Sequence, residues 1–169
     1  SSEQLSSDAM FMSGLAYKDP KSNNYFNSVL LIDNKHRFYH KNHLVPFGEY
    51  LPFKSFLGEI LRFLKIPMSD FSSGNPDQKL FETDKGIFGM SICYEDAYGS
   101  EVRKALPDAN ILINVSNDAW FGDSFAPHQH LQMARIRAIE NGRYMLRSTN
   151  TGISAVIDDK GKIISRSPQ

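Results

Sequence analysis

The fold of this chain is decided by the stretch Gly86-Ile-Phe-Gly-Met-Ser-Ile-Cys93-Tyr94-Glu95-Asp96. Its first seven residues carry no charge and are mostly apolar, which is typical of a buried β-strand. Residues 94–106 then have helical character, so we expect Cys93 to lie at a turn from strand to helix. Backbone N–H groups at such a turn have no partner within the helix and point toward whatever the thiol holds.

Cys93 is the only cysteine of the chain. Amides at the start of a helix favour the thiolate, which is the nucleophilic form of cysteine. The position therefore suggests an acyl-transfer enzyme with Cys93 as its nucleophile. A lone cysteine is also a common small residue of an apolar core, so this alternative stays open unless other residues support the chemistry.

Composition sets the class of protein. The chain has 169 residues, 41% of them hydrophobic, which suffices for one domain with a core. Its 19 basic and 19 acidic residues cancel, so no overall field would attract nucleic acid, and we expect no nucleic-acid partner.

The apolar runs are too short to cross a bilayer, and the first residues lack a basic region followed by an apolar core. One cysteine permits no internal disulfide, so the cysteine count does not reveal the compartment.

The order of predicted elements indicates an α/β fold. The strand at 86–93, the helix at 94–106 and a strand at 111–115 form a unit whose two strands should run parallel. A second helix is predicted at 127–141 and ends at Gly142. We treat residues 1–169 as one domain, with further strands predicted at 9–17, 25–33, 37–41, 79–83, 144–148, 153–157 and after residue 162.

An amphipathic helix is predicted at 53–64, where apolar residues recur at helical spacing before Pro67. Its apolar stripe could pack on the core of the protein. Phe63 lies off that stripe, which favours a second apolar contact such as lipid.

Three other residues are candidates for the acyl-transfer site. Lys41 ends a predicted hairpin strand just before a loop at 42–52 that contains two prolines, so its ammonium could stabilise an oxyanion together with the Tyr94 amide. Glu49 and Glu95 are acids in apolar surroundings, where burial would let them exchange protons near neutral pH. A solvated surface lysine and structural ion pairs are the alternatives.

Other catalytic mechanisms, and metal or phosphate sites, have less support in the sequence. Cys93 stands where the serine-hydrolase motif Gly-x-Ser-x-Gly requires its second glycine, so Ser91 is predicted to be a strand residue. No Cys or His cluster has zinc spacing and no glycine-rich phosphate loop occurs, so we predict no metal site and no cofactor. His128 or His130 could approach Cys93, but no local signature supports a Cys–His protease.

Longer motifs carry a family resemblance. They are Tyr-His-Lys-Asn-His-Leu-Val-Pro-Phe-Gly-Glu-Tyr at 39–50, Ile-Cys-Tyr-Glu at 92–95 and Val-Ser-Asn-Asp-Ala-Trp-Phe-Gly-Asp at 115–123, continued at 130–140 and 149–152. With these motifs the chain resembles the nitrilase-like domain of the apolipoprotein N-acyltransferase family from Met12 onward. The resemblance implies a nitrilase-like αββα sandwich that is incomplete at its N-terminus.

The resemblance also implies roles for residues of a Glu-Lys-Cys site. Cys93 would form a thioester, Lys41 would stabilise the tetrahedral intermediate, and Glu49 would support the site, with Tyr94 and Glu95 flanking the nucleophile. The family places its general base, a glutamate, on a strand further upstream, and Glu3 does not match it. We therefore expect a partial catalytic domain that lacks the first strands and the membrane helices and is inactive alone.

By the same resemblance, the partners would be a phospholipid acyl donor, a diacylglyceryl apolipoprotein acceptor and a membrane surface. The implied location is the bacterial inner membrane, with the catalytic domain on the periplasmic side. Two alternatives remain at this stage. One is a soluble nitrilase-like amidase, in which water resolves the thioester, and the other is a non-catalytic scaffold with Cys93 in its core.

Overall fold

A three-stranded antiparallel sheet begins the fold. The computed structural model describes residues 9–33, 35–50, 71–122 and 124–168. The first sheet contains β1 (Phe11–Lys18), β2 (Tyr25–Ile32) and β3 (His36–His40) in that order. Strands β2 and β3 form the predicted hairpin, which brings the chain to Lys41.

A larger sheet has six strands in sequence order, and β5, β6 and β7 at its centre run parallel. The parallel pairing predicted from the strand–helix–strand unit is therefore confirmed. The carboxyl ends of these three strands meet at one edge, where ligands bind in sheets of this kind. The strands are β4 (Phe81–Thr83), β5 (Gly86–Ile92), β6 (Ile111–Ser116), β7 (Tyr144–Thr149), β8 (Ala155–Ile157) and β9 (Ile163–Arg166).

The two sheets pack face to face. Val29 and Leu31 of β2 form one buried cluster with Phe88 and Ile92 of β5 and Ile113 of β6. The burial of these aliphatic and aromatic side chains is the main force that holds the sheets together. A groove of about 690 Å³ opens between the sheets on one side.

A helical layer covers the other face of the larger sheet. Its main element, α2 (Ala126–Asn141), follows the short helix α1 (Gly99–Arg103). The inner residues of α2, Leu131 and Ala134 among them, share a buried cluster with Met145. Pro127 lies in the first turn and Gly142 ends the helix at φ 58°, as the sequence predicts.

The prediction of one continuous helix at 94–106 is wrong. A 3₁₀-helix at Cys93–Ala97 is followed by α1, and Tyr98 separates them at φ −97° and ψ 89°. The Tyr98 ring stacks on His43 with the centroids 3.6 Å apart. Gly99 lies so close to the Arg137 guanidinium that a Cβ atom would clash with it. These contacts override the local helical preference.

The predicted amphipathic helix at 53–64 and Glu3 lie outside the described residues. Within the ranges that the structure describes, helices are too short or too polar to cross a membrane.

Candidate active site

Cys93 lies at the carboxyl end of β5 and is the first residue of the 3₁₀-helix. Its φ of 53° falls in the left-handed region, which residues other than glycine seldom adopt and which recurs at functional sites. The thiol is free and the residue is half-buried. Asn114 of β6 donates a hydrogen bond to the Cys93 carbonyl oxygen at 3.2 Å, so the neighbouring strand holds this turn.

Lys41 is a fully buried lysine rather than a surface one. Its exposed fraction is 0%, and its Nζ atom lies 2.6 Å from Oε2 of Glu49. A buried ammonium is stable only with such a partner. The backbone is fixed as well, because the Lys41 N–H donates to the Asn27 carbonyl and the Gly74 N–H donates to the Lys41 carbonyl. The charge therefore has a defined position.

Glu49 holds that ammonium in place. Its Oε2 accepts a hydrogen bond from the Val45 N–H at 2.8 Å in addition to the bond from Lys41. Its Oε1 accepts one from Nδ2 of Asn27 at 2.7 Å. Because both oxygens are occupied, the carboxylate acts here as an anchor for the lysine.

Glu95 is buried and accepts four hydrogen bonds. Its Oε1 receives the N–H groups of Asn42 at 2.7 Å and His43 at 3.0 Å. Its Oε2 receives the Ile92 N–H at 2.7 Å and the Tyr39 hydroxyl at 3.1 Å. This carboxylate is thus bonded to backbone from two distant parts of the chain.

These bonds join the backbone beside Cys93 to the backbone beside Lys41. Ile92 directly precedes Cys93, and Asn42 directly follows Lys41, so one carboxylate ties the two segments together. Burial raises the pKa of Glu95, while the bonded N–H groups and the Lys41 charge act in the opposite direction. A thiol and a fixed cation carried by two joined segments can perform acyl transfer, with the cation stabilising the oxyanion.

Tyr94 directly follows Cys93 and is partly exposed. Its side chain is 37% exposed, and its ring packs edge-on against Tyr98 with centroids 5.6 Å apart. The Tyr94 and His130 rings lie 6.4 Å apart. The Tyr94 ring therefore lies near α2, which carries His130.

A second set of polar residues lies beside Cys93, and it contains His130, which was predicted to be able to approach Cys93, and Asp118, which was not predicted as a site residue. Asp118 follows β6, and its Oδ1 lies 3.2 Å from Nδ1 of His130 on α2. Ser116 donates to the same oxygen at 2.6 Å. The Cys93 Sγ, a carboxylate oxygen of Asp118 and a ring nitrogen of His130 all lie within 4.8 Å of one another.

Arg147 of β7 links this set to the turn after Cys93. Its Nη2 donates to Oδ2 of Asp118 at 2.9 Å, and its Nη1 lies 3.5 Å from Oδ2 of Asp96. Nη1 also donates to Oδ1 of Asn114. Arg147, Asp96 and Asp118 are all buried, so this is an internal charge network.

The pKa values of the two aspartates are shifted in opposite directions. Burial raises the pKa of Asp96 to about 6, although the charges of Arg147 and His130 oppose that rise. Burial alone would also raise the pKa of Asp118, but hydrogen bonds from His130 and Ser116 hold it below its ordinary value. Asp118 is therefore the firmly ionised member of the network.

A thiol, an imidazole and a carboxylate are also the groups that bind zinc. Here the guanidinium of Arg147 already donates to Asp118 at 2.9 Å, and its Nη2 lies 3.3 Å from Nδ1 of His130. A divalent cation would lie beside this positive charge and displace its hydrogen bonds. The arrangement suits the movement of protons better than the binding of a metal.

One sequence signal could have revealed the network. Asn114 interrupts the apolar strand Ile-Leu-Ile-Asn-Val, and Arg147 follows the run Tyr-Met-Leu. Polar side chains within buried strands need partners, so their presence predicts other buried polar groups nearby. The two candidate histidines differ, because His130 is buried and His128 is exposed.

Comparison with known proteins agrees with this architecture. The profile of the carbon-nitrogen hydrolase family matches residues 8–169. The apolipoprotein N-acyltransferase of Nitrosomonas europaea is 47% identical over 154 residues, which are 90% of this chain and 31% of that protein. The protein of the same name from Methylococcus capsulatus is 48% identical over 155 residues, with 92% and 31% covered. The chain thus spans about a third of the length of these relatives.

Solved structures show the same fold at low identity. A carbon-nitrogen hydrolase from Helicobacter pylori G27 superposes with a TM-score of 0.69 at 18% identity, over 94% of this chain and 57% of that one. Saccharomyces cerevisiae Nit3, of the nitrilase superfamily, gives 0.63 at 22% identity, over 92% and 54%. The predicted nitrilase-like α/β fold is confirmed. With a family profile that matches residues 8–169 and this shared fold, the chain belongs to the carbon-nitrogen hydrolase family.

Proposed function

We propose that this chain is the catalytic part of an apolipoprotein N-acyltransferase. Such an enzyme would move an acyl chain from a phospholipid, through a thioester on Cys93, to the α-amino group of a diacylglyceryl-cysteine. Relatives with this name are 47% and 48% identical to the chain, which covers about a third of their length. Their name supports both the acyltransferase reaction and the lipoprotein acceptor.

The observation that carries the chemistry is the carboxylate of Glu95. It binds the backbone next to Lys41 and the backbone next to Cys93 at 2.7 Å in both cases. The backbone that carries the buried ammonium and the backbone that carries the thiol are thereby tied to one carboxylate, which supports the proposal. This combination supplies the two groups that attack on an ester requires, a nucleophile and a fixed positive charge for the oxyanion.

The first half-reaction follows from these positions. Cys93 Sγ attacks the carbonyl carbon of the phospholipid ester, and the negative oxygen is stabilised by Lys41 and by the Tyr94 N–H. The carbonyl C–O bond to the glycerol then breaks, and the departing oxygen takes up the proton lost by the thiol. The products are a Cys93 thioester and a lysophospholipid.

Exposed aromatic side chains support a phospholipid surface as partner. Trp120 is 76% exposed, Phe125 83% and Phe47 65%. They lie in the two loops that also carry Asp118 and Glu49. Aromatic rings favour the boundary between water and lipid. We propose accordingly that the site faces the bacterial inner membrane from the periplasmic side.

The test uses the full-length protein in vesicles whose phospholipid carries a labelled acyl chain. The acceptor is a diacylglyceryl-cysteine peptide with a free α-amino group, and mass spectrometry detects the product. We expect an N-acylated peptide with the wild-type protein and none with Cys93→Ser. The same peptide with an acetylated α-amino group is the control and should remain unmodified. Release of free fatty acid without acylated peptide would identify a hydrolase and contradict the proposal.

A further inference from the structure

A row of three polar side chains crosses the parallel strands at the centre of the larger sheet. Ser91 of β5 lies opposite Asn114 of β6, and Asn114 lies opposite Arg147 of β7. All three residues are buried. We propose that Asn114, the middle member of this row, is a positioning residue that sets the direction of the Tyr94 N–H. The inference rests on the proposed function, in which that N–H stabilises the oxyanion.

The partners of Asn114 fix the orientation of its amide group. A guanidinium only donates hydrogen bonds, so the atom that faces Nη1 of Arg147 is the amide oxygen, Oδ1. The other amide atom, Nδ2, donates to the Cys93 carbonyl oxygen at 3.2 Å and to Oγ of Ser91 at 3.0 Å. A carbonyl oxygen only accepts hydrogen bonds, which requires the same orientation. The exposed fraction of Asn114 is 0%, so water does not compete for these bonds.

The bond from Asn114 helps to hold an unfavourable backbone conformation at the nucleophile. Cys93 has a φ of 53°, and a residue other than glycine keeps such a value only where its surroundings enforce it. Glu95 fixes the backbone before Cys93, because it accepts the Ile92 N–H at 2.7 Å. Asn114 fixes the carbonyl group after it. The turn that carries the thiol is therefore held on both sides.

A fixed carbonyl group also determines where the next N–H points. In a planar trans peptide the C=O and N–H bonds point in opposite directions. The Cys93 carbonyl is directed at the buried amide of Asn114 on β6, so the Tyr94 N–H of the same peptide group points away from β6. A donor stabilises an oxyanion strongly when its direction is set before the reaction begins. Asn114 provides this condition for the Tyr94 N–H.

Arg147 in turn holds Asn114. Its Nη1 donates to Oδ1 of Asn114, and its Nη2 donates to Oδ2 of Asp118 at 2.9 Å. A charged donor on the amide oxygen polarises the amide and strengthens the bond that Nδ2 donates. An amide and a charge inside a sheet are costly to bury, and apolar side chains of similar size would pack there at lower cost. The row is therefore better explained by the placement of the Cys93 turn than by stability.

The test compares two reactions of the Cys93 thiol in the full-length protein. Thioester formation from labelled phospholipid passes through an oxyanion, whereas alkylation by iodoacetamide displaces iodide and forms no oxyanion. The ratio of the two rate constants therefore separates stabilisation of the oxyanion from the reactivity of the thiol. Asn114→Leu removes the amide donor without adding a charge. We expect this ratio to fall by about tenfold to 100-fold, while KM for the phospholipid stays within about twofold of the wild-type value.

Asn114→Asp keeps an acceptor for Arg147 but, when ionised, donates no hydrogen bond, so the ratio should fall in this variant too. It decides the question if Asn114→Leu fails to fold. Ser91→Ala is the matched control, because it removes the other partner of Nδ2 and leaves the bond to Cys93 intact. Its ratio should stay within about threefold of the wild-type ratio.

An unchanged ratio in the folded Asn114 variants would overturn the inference. This outcome includes equal slowing of both reactions, which would assign Asn114 a purely structural role. Failure of the proposed function is distinguishable, because iodoacetamide would then alkylate Cys93 in the wild-type protein but phospholipid would form no thioester there.

Discussion

At the scale of single residues, Lys41 differs from an ordinary surface lysine. A lysine with 0% exposure and a carboxylate 2.6 Å away keeps its charge in one position. The charge of a surface lysine is screened by water, so such a lysine would stabilise an oxyanion only weakly. The rigid pair with Glu49 is therefore the electrostatic part of the site.

Replacing Lys41 with methionine should slow formation of the Cys93 thioester by about 100-fold to 1,000-fold, because one oxyanion-stabilising group is lost. It should also lower the free energy of unfolding by about 3–5 kcal/mol, because the Glu49 carboxylate stays partly buried without its cation. Single-turnover acylation and urea denaturation measure the two effects.

Lys104→Met is the control for this change. Lys104 is 49% exposed and pairs with Glu101 on the surface, so its loss should cost less than about 1 kcal/mol and leave acylation unchanged. A Lys41→Met protein that acylates at the wild-type rate would remove Lys41 from the mechanism.

The residues of the site differ in how far sequence alone could identify them. Cys93, Lys41 and Glu49 stand at strand ends or in a proline-framed loop, and such positions predict function from local pattern. Asp118, by contrast, owes its role to partners on β7 and α2 that are 29 and 12 residues away in sequence. The polar residues Asn114 and Arg147 within apolar strands predict buried polar partners, but which residues those partners are becomes visible only in the folded chain.

At the scale of elements, three parallel strands deliver polar residues to one edge of the larger sheet. Cys93 follows β5, Asp118 follows β6, and Arg147 comes from β7. The strands themselves were predicted well because their apolar runs are strong signals. The interruption at Tyr98 of the helix predicted at 94–106 was not predicted, because it depends on contacts with His43 and with α2.

The charge network between these elements should produce a pH dependence of stability. The pKa of Asp96 is about 6 in the folded protein against 3.8 ordinarily, so between these values the folded state binds more protons than the unfolded state. Stability should therefore fall as pH rises from about 4 to about 6, by up to about 3 kcal/mol. In Asp96→Asn this fall should be smaller, with only the part due to the raised pKa of Glu95 remaining, and urea unfolding at pH 4.5 and pH 7 measures it.

For Asp118 the pH dependence of stability has the opposite sign. Its lowered pKa contributes stability that is lost only as pH falls below its ordinary range, outside the window of Asp96. Asp84→Asn, which removes an exposed carboxylate, is the control. If Asp96→Asn and the wild-type protein show the same pH dependence between pH 4 and 6, the raised pKa of Asp96 is contradicted.

At the scale of the whole molecule, two packed sheets and a helical layer leave aromatic rings exposed on loops that also carry residues of the candidate site. Trp120 and Phe125 lie on the loop that carries the chain from β6 to α2. The nitrilase-like sandwich could be predicted because long motifs were recognisable. The exposure of these rings could not, since an aromatic residue in a loop is compatible with either burial or contact with lipid.

The double change Trp120→Glu and Phe125→Glu should weaken the use of phospholipid in vesicles by about tenfold or more, because apolar contact with the surface is lost. The rate with a short water-soluble ester should stay within about twofold of the wild-type value, because the residues of the site are unchanged. The measurement is kcat/KM for both donors in the full-length protein.

Tyr144→Glu is the matched control. Tyr144 is 47% exposed but begins β7, at the end of the strand away from the site. This change should leave kcat/KM unchanged for both the vesicle phospholipid and the soluble ester. Equal losses with vesicle phospholipid and soluble ester in the double variant would show that the rings serve the site itself and not the membrane surface.

The most direct test of the account is peptide mass spectrometry of the full-length protein after exposure to a phospholipid of defined acyl chain, with no acceptor present. We predict one acyl adduct, on the peptide that contains Cys93, removed by neutral hydroxylamine and strongly reduced in Lys41→Met. An acyl adduct at another residue, or acyl transfer that persists in Cys93→Ser, would contradict the assignment of Cys93 as the nucleophile.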